Sequence, residues 1–330
     1  MVRSIYDVIG IGNAIVDVIS AEPETRIIEL GLNKGAMTIV DKELAERIYD
    51  QMAQKVETSG GSAANTLAGI ASLGGRGAYI GKVKNDILGK IFCKDLMNAG
   101  VVHKTVPSSE GLPTARCLVF VTPDAERTMQ TYLGISVNLG PRDIDREAII
   151  ASDIIYLEGY LFDPPKAKEA FIEASKLAHG AGRKVALSLS DAFCVDRHRS
   201  EFLNFISLHA DILFANEAEI TSLFEVKNFK EAVELIPSYC NLAVMTQGDQ
   251  GCTIVRNNEI FEVPASQVEK VIDTTGAGDL FAAGFLFGLS NGHTIPDCGK
   301  IGSIAAAEII THYGARPEKS LAKLLMENGF

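Results

Sequence analysis

Val271-Ile-Asp-Thr-Thr-Gly-Ala-Gly-Asp-Leu-Phe-Ala-Ala-Gly-Phe-Leu-Phe-Gly288 decides how this chain is read. An apolar start meets Asp273-Thr274-Thr275, then the turn Gly276-Ala277-Gly278, then Asp279 and a run of helix formers. A glycine turn that opens a helix leaves backbone N–H groups without intrahelical partners. Together with the positive end of the helix dipole, those donors make an anion site. Glycine lets an oxyanion come close because no Cβ stands in the way. Asp279 falls in the first helical turn, beside that anion. A carboxylate there repels a phosphate unless it has a task. Taking the proton from a hydroxyl that attacks phosphorus is such a task. Read blandly, the same residues are an ordinary turn and an ordinary helix-start acid. The helix sharpens the choice. Leu280, Phe281, Ala283, Phe285, Leu286, Phe287 and Leu289 cover nearly every face, which predicts a buried helix whose N-terminus lies at the floor of a cleft.

Outward from that stretch, 330 residues exceed the usual single core, so one large domain with an accessory piece is expected. A 47% hydrophobic, 22% charged composition is enough for a substantial core. The formal charge of −11 and the lack of a long basic run argue against a nucleic-acid partner. An acidic chain can still hold a nucleoside triphosphate through backbone donors and a metal ion. The six cysteines are far apart with no Cys-x-x-Cys, the pattern of reduced thiols in a cytosolic protein. No apolar run reaches membrane-spanning length, and Met1-Val-Arg-Ser-Ile-Tyr-Asp7 carries no secretory pattern. The expectation is a cytoplasmic protein with no membrane partner, monomer or homodimer.

Tyr6–Ile11 reads as a buried strand. Gly10-x-Gly12 hints at a dinucleotide fingerprint, but Ile15 stands where the third glycine belongs and β-branched residues follow instead of a helix. Asp41 caps an amphipathic helix running to Gln54, with Leu44, Ile48 and Met52 on one face. Gly60-Gly61-Ser62-Ala63-Ala64-Asn65 is a second glycine turn leading into a small-residue helix. Strand Thr114–Thr122, turn 123–127 and strand Thr128–Leu133 form a hairpin-like unit. With Val16–Val40, it forms a separate β piece. After Gly140, strands near 154–157, 185–189, 212–214 and 242–246 alternate with helices near 166–179, 199–208, 218–224 and 229–236. A hairpin at 253–263 and three helices near 277–289, 297–311 and 318–328 complete the chain. Such alternation predicts an α/β fold, a parallel sheet with helices on both faces, with ligands at the carboxyl ends of the strands.

The chain has no Gly-x-x-x-x-Gly-Lys-[Ser/Thr], no His-Arg-Asp loop and no His-Glu-x-x-His. Cys194 and His198 lack further metal ligands, and none of the six histidines is assigned a catalytic role. Asp273-Thr-Thr-Gly-Ala-Gly-Asp279 before an apolar helix resembles the C-terminal signature of the PfkB (ribokinase-like) carbohydrate and nucleoside kinases, and Gly60-Gly-Ser-Ala-Ala-Asn65-Thr their N-terminal one. The resemblance covers essentially the whole chain. It implies a single kinase domain over 1–330, a ribokinase-like core sheet and a small discontinuous β-sheet lid at about 14–40 and 110–135. It also implies ATP and Mg²⁺, with K⁺ as a further candidate.

By the same resemblance, Asp279 is the general base, and the backbone of Gly276, Ala277 and Gly278 is the anion hole. Asn216 and Glu219 match an Asn-x-x-Glu that supports magnesium through water, as a hard cation that keeps its waters requires. Taken alone, those two are a solvated polar face. Thr246-Gln-Gly248-Asp-Gln-Gly251 is similar to a loop along the nucleotide phosphates; a plain hairpin turn is the bland reading. Asp273 and Thr275 hold positions that bind a monovalent cation in many relatives. Asp17 resembles the carboxylate that accepts from vicinal hydroxyls, chemistry that suits its two oxygens. Asn13, Gly61 and Asn65 are its partners on the substrate. Arg127 resembles a lid arginine that reaches phosphate or substrate on closure, or is an exposed turn residue.

Ser62 stands where ribokinases carry lysine, and Gly12-Asn-Ala-Ile-Val-Asp17 is closer to adenosine kinases than to sugar kinases. Thr131-Tyr-Leu-Gly134 and Leu187-Ser-Leu-Ser-Asp-Ala-Phe193 resemble segments lining a base pocket, with Phe193 and Leu161 as base contacts. The expected reaction is phosphorylation of the primary hydroxyl of a nucleoside, adenosine becoming AMP. A sugar kinase of the same family is the alternative. A nicotinamide-dependent oxidoreductase and a non-catalytic binding protein remain as other classes.

Overall fold

A continuous apolar strand such as Tyr-Asp-Val-Ile-Gly-Ile needs cover on both faces, which a parallel sheet between helices supplies. The computed structural model describes residues 4–124 and 126–330; Met1–Arg3 and Ala125, within the expected 123–127 turn, lie outside the described residues. The strands are β1 (Tyr6–Ile11), β2 (Ile15–Ala21), β3 (Met37–Ile39), β4 (Val56–Gly60), β5 (Gly77–Ile80), β6 (Val102–His103) and β7 (Ala115–Val121). They continue as β8 (Arg127–Tyr132), β9 (Ser152–Glu158), β10 (Lys184–Ser188), β11 (Ile212–Asn216), β12 (Leu242–Thr246), β13 (Cys252–Arg256) and β14 (Glu259–Val263). The large sheet runs β14-β13-β12-β11-β10-β9-β1-β5-β6. It is parallel from β12 to β6 and antiparallel through β12-β13-β14.

Successive strand residues point to opposite layers. Val8, Ile154, Phe214 and Val244 pack with helices Ser62–Ser72, Ala277–Ser290 and Ile295–Ile309. Ile9, Ile155, Leu213 and Ala243 pack with helices Pro165–Gly180, Ala192–His209 and Glu217–Phe224. As expected, the helix after Asp279 is sunk in the core, with Leu280 to Leu286 all buried. The register also aligns polar strand ends: Glu158 faces Ser188, and Asn216 faces Thr246. All four lie at the carboxyl edge, where this architecture binds ligands.

The second sheet runs β3-β8-β7-β2-β4. Along β2, Val16 and Val18 are buried in the core while Asp17 points to the other face. Two expectations are corrected here. The 14–40 segment is not all strand, because Pro23 leads into helix Glu24–Glu29, which buries Ile27. Val56–Gly60, to which the sequence reading assigned no element, is β4, antiparallel to β2 with Ile15 opposite Gly60. The helix expected from Arg199 begins at Ala192, because Asp191 accepts from the amides of Phe193 and Cys194. Non-helical torsions at His198 kink it and interrupt its periodicity. All six cysteines are free. Among the described residues no helix is long and apolar enough to cross a membrane.

Candidate active site

Asp279 lies in the first turn of helix Ala277–Ser290. Its Oδ1 accepts from Ser62 Oγ at 2.6 Å and its Oδ2 from Asn65 Nδ2 at 2.9 Å. Two glycines make this meeting possible. Gly276 enters its helix at φ +80°, with the place of a Cβ only 2.8 Å from Ala315 Cβ. Gly61 enters helix Ser62–Ser72 at φ +91°, where a Cβ would stand 2.2 Å from the Asn13 carbonyl oxygen. Only glycine accommodates both the torsion and the approach. Burial raises the Asp279 carboxyl above its ordinary range, opposed by the Ser62 and Asn65 hydrogen bonds and by the Arg316 charge.

Asp17 lies near this carboxylate. Burial pushes it up to about 6, against the charges of Arg316 and Arg127, with Asp279 adding to the rise. Asn13 is held by Glu158, which sequence reading missed. Glu158 Oε1 accepts from Asn13 N at 3.2 Å and Asn13 Nδ2 at 2.8 Å, and Oε2 from Ala63 N at 2.9 Å. Burial pushes Glu158 to about 7, although these hydrogen bonds oppose it. A Cβ on Gly12 would meet Glu158 Oε2 at 2.4 Å. Gly12, just after β1, therefore makes room for a carboxylate. Because β1 leads into β2 and not into a helix, the context a dinucleotide fingerprint needs is missing.

A cavity of about 280 Å³ opens at the carboxyl ends of β9 to β12. Ser62, Asn216, Glu219, Thr246, Gly278 and Asp279 are among its walls, as is Gly248. Asn216 and Glu219 form a reciprocal helix-start box: Asn216 Oδ1 accepts from Glu219 N at 2.9 Å, and Glu219 Oε2 accepts from Asn216 N at 3.0 Å. Burial pushes Glu219 to about 7; the Asn216 amide opposes this, and Asp191 and Asp279 add to it. A hard cation carrying its own waters suits these oxygen donors, and Mg²⁺ beside Glu219 would hold that carboxyl ionised. Among the described residues no cluster of three or more His, Cys, Asp or Glu could hold a metal by itself. The remaining ligands would therefore be phosphate and water.

Of the three amides expected as an anion hole, that of Ala277 already donates to the Thr274 carbonyl at 3.2 Å. Gly278 is exposed at the cavity wall. Gly251, expected along the nucleotide, is buried, and a Cβ on it would meet the backbone at Val263 and Ala265. The pair expected to bind a monovalent cation is engaged within its own loop and by a guanidinium. Asp273 Oδ1 accepts from Thr275 N and Oγ1 at 3.0 and 2.7 Å, and Oδ2 from Gly314 N at 3.0 Å. Arg127 Nη2 sits 2.6 Å from Asp273 Oδ2, both side chains being largely buried. A guanidinium thus stands where K⁺ was expected, reaching across from β8. Its Nη1 is 3.4 Å from Thr275 Oγ1, just before the Gly276–Gly278 turn.

Neither expected base contact lines this cavity. Leu161 is fully buried in the hydrophobic layer beneath the sheet. Phe193 is 73% exposed in the first turn of its helix and is not part of the cavity wall. Ser190 does line the cavity, at φ +69°, and its buried Oγ lacks a hydrogen-bond partner. Such torsions concentrate at functional sites. Arg316 was missed as well: it is a lone arginine in a Gly-Ala-Arg-Pro loop, with nothing local to mark it. Glu158 did carry a signal, a carboxylate that ends a parallel strand directly after the apolar run Ile154–Leu157.

A family model described as pfkB family carbohydrate kinase matches residues 35–321. An "Uncharacterized sugar kinase" of Archaeoglobus fulgidus is 30% identical over 255 residues, 75% of this chain and 96% of that protein. The crystal structure of adenosine kinase from Sinorhizobium meliloti is 48% identical, with TM-score 0.92, over 99% of this chain and 100% of that one. A probable sugar kinase from Rhizobium etli CFN 42 is 44% identical, also with TM-score 0.92, over 99% of both chains.

Proposed function

Because the chain belongs to the pfkB family of carbohydrate kinases, and so is a kinase with an alcohol acceptor, we propose that it phosphorylates the primary hydroxyl of a nucleoside, converting adenosine to AMP. One observation carries this reading. Asp279 is held by Ser62 and Asn65 at the wall of a cavity shared with Asn216, Glu219 and Thr246. In this reading the carboxylate is the base and the cavity receives the triphosphate. The vicinal hydroxyls of the acceptor rest on Asp17, with Asn13, Gly61 and Asn65 around the sugar. Asp279 takes the proton of the primary hydroxyl, whose oxygen bonds to the γ-phosphorus of ATP as the bond to ADP breaks. The Gly276 and Gly278 backbone and the helix N-terminus hold the transferred group. Asn216 and Glu219 would hold Mg²⁺ through its waters, and the ion would supply charge neutralisation on the phosphates. The smaller sheet acts as a lid that excludes water from ATP.

The identity of the Sinorhizobium meliloti relative favours adenosine, and the name of the Archaeoglobus relative keeps a free sugar as second reading. Turnover with ATP and Mg²⁺ across adenosine, other nucleosides, ribose and fructose separates them. Adenosine is expected to exceed the sugars in kcat/KM by at least about 100-fold, a difference of some 2.7 kcal/mol in transition-state binding. Preference for a sugar would overturn the nucleoside assignment. Turnover with none of them would defeat the kinase reading.

In this mechanism Arg127 stays on Asp273 and supplies the positive charge that K⁺ gives in other members. Exchange of K⁺ for Na⁺ at constant ionic strength is therefore expected to change kcat by less than about twofold. A larger K⁺ requirement in steady-state assays would show that Arg127 yields Asp273 to the cation.

A further inference from the structure

We propose that Arg316 is the positioning residue of this site, a buried fixed cation whose guanidinium fork straps β4 to helix Ser62–Ser72 beside the base Asp279 and the acceptor-side Asp17. This rests on the kinase reading above. Four hydrogen bonds hold the guanidinium. Nε and Nη2 donate to the Ser59 carbonyl at 3.2 and 3.0 Å, Nη2 to Ser59 Oγ at 2.9 Å, and Nη1 to the Ala64 carbonyl at 2.7 Å. Ser59 belongs to the smaller sheet; Ala64 lies one residue before Asn65, which donates to Asp279. A planar fork with donors in fixed directions suits this bridging, and a lysine does not reproduce it. Ser59 is itself clamped from behind by Asp95 Oδ2, at 2.7 Å from its amide and 2.6 Å from its hydroxyl.

The fork therefore meets neutral carbonyls and a hydroxyl, and its charge is not consumed by a direct carboxylate contact. That charge acts on Asp95, Asp17 and Asp279 together, and burial alone draws the guanidinium below its ordinary range. The other charged groups near these carboxylates do not replace it. Arg127 faces Asp17 but is paired with Asp273 at 2.6 Å. Cys117 of β7, beside Asp17, is buried as a thiol. Around Asp279, Glu158 and Tyr156 of β9, Tyr160 and Glu219 are acids that its charge pushes up further. Tyr79 on β5 faces Arg316 and stays a buried phenol. The cation set against the burial of Asp279 is Arg316.

The test compares Arg316→Gln, which keeps donors but loses the charge, with Arg316→Lys, which keeps the charge but loses the fork. Full-length proteins are assayed for kcat/KM of adenosine from pH 5 to 9, alongside melting temperature and affinity for a non-hydrolysable ATP analogue. R316Q is expected to move the acidic limb upward by about 1 pH unit, the lower end of what a neighbouring arginine does to an aspartate. R316K is expected to lose turnover at every pH with its limb unmoved. A purely structural role would lower activity equally at all pH values in both, and equal limbs in the two variants overturn the proposal. Should R316Q not fold, an upward limb shift in R316K alone also overturns it, since its charge is intact. Wild type inactive on every acceptor would defeat the kinase reading; an active R316Q with a wild-type limb defeats this inference alone.

Discussion

Asp279→Asn is expected to lower turnover with adenosine at least about 1,000-fold while leaving folding and ATP affinity close to wild type, because a positioned general base contributes about 10²–10⁴. The exchange removes one thing. An amide has the shape of a carboxylate but cannot take a proton. Ser62 Oγ can still donate to the oxygen of the new amide by rotating its hydroxyl, and Asn65, with its own amide turned over, can accept from the new NH₂. The stability change should stay within about 1 kcal/mol, the usual size of one exchanged hydrogen bond. Burial works against the charge of Asp279, so the neutral residue relieves part of that cost. Equilibrium binding of an ATP analogue, calorimetric melting and single-turnover phosphorylation separate the three quantities. Turnover within tenfold of wild type would take Asp279 out of the base role. Loss of melting temperature and of nucleotide binding together would show a structural carboxylate instead.

Legibility in the sequence tracked how local each feature is. The Gly276-Ala277-Gly278-Asp279 run was readable because turn, helix start and acid are consecutive, and the apolar helix behind them has one stable place, the core. The parallel sheet was readable because its strands are continuous apolar runs between helices. What was hidden depends on chain crossings. β4 is Val-Glu-Thr-Ser-Gly, with no apolar alternation, and it is a strand because β2 supplies its hydrogen bonds. Arg316 is 257 residues from Ser59 in sequence and matters only where the C-terminal loop meets β4. Leu161, expected as a base contact from the resemblance, is buried in the layer of Phe162 and Phe171, a placement no local pattern announces. Arg127 and Asp273 were each singled out, yet nothing in either motif indicated that they satisfy one another. Sequence thus marked most of the groups that could do chemistry and left their mutual pairing to the fold.

Replacing Asp17 tests the acceptor side, where the largest effect on binding is expected. A carboxylate that accepts from two vicinal hydroxyls gives charge-assisted hydrogen bonds, each of about 1.5–3 kcal/mol. Asp17→Asn keeps one acceptor and loses the charge, so KM for adenosine should rise by about 100-fold with a smaller fall in kcat. If the contact is to the diol, wild type discriminates against 2′-deoxyadenosine and the variant largely loses that discrimination. Two pH dependences follow, of opposite sign. Burial lifts the Asp17 carboxyl from 3.8 to about 6, so the acceptor-binding form is lost as pH falls through about 6. Affinity should therefore be flat above pH 7 and decline below 6 in wild type, and be flat throughout in D17N. Stability goes the other way. A group whose value is raised on folding favours the folded state when protonated; its contribution is complete below pH 3.8 and is lost as pH rises through about 6. D17N should therefore melt higher than wild type at pH 8 and show no such gain at pH 4. A variant with weaker adenosine binding and no gain at pH 8 would mean that Asp17 is not held charged against its burial. A variant that gains stability but binds adenosine normally would mean that the charge faces something other than the substrate. Only the combination, tighter folding with weaker binding at the same pH, fits a carboxylate kept ionised at a structural cost for the acceptor's sake.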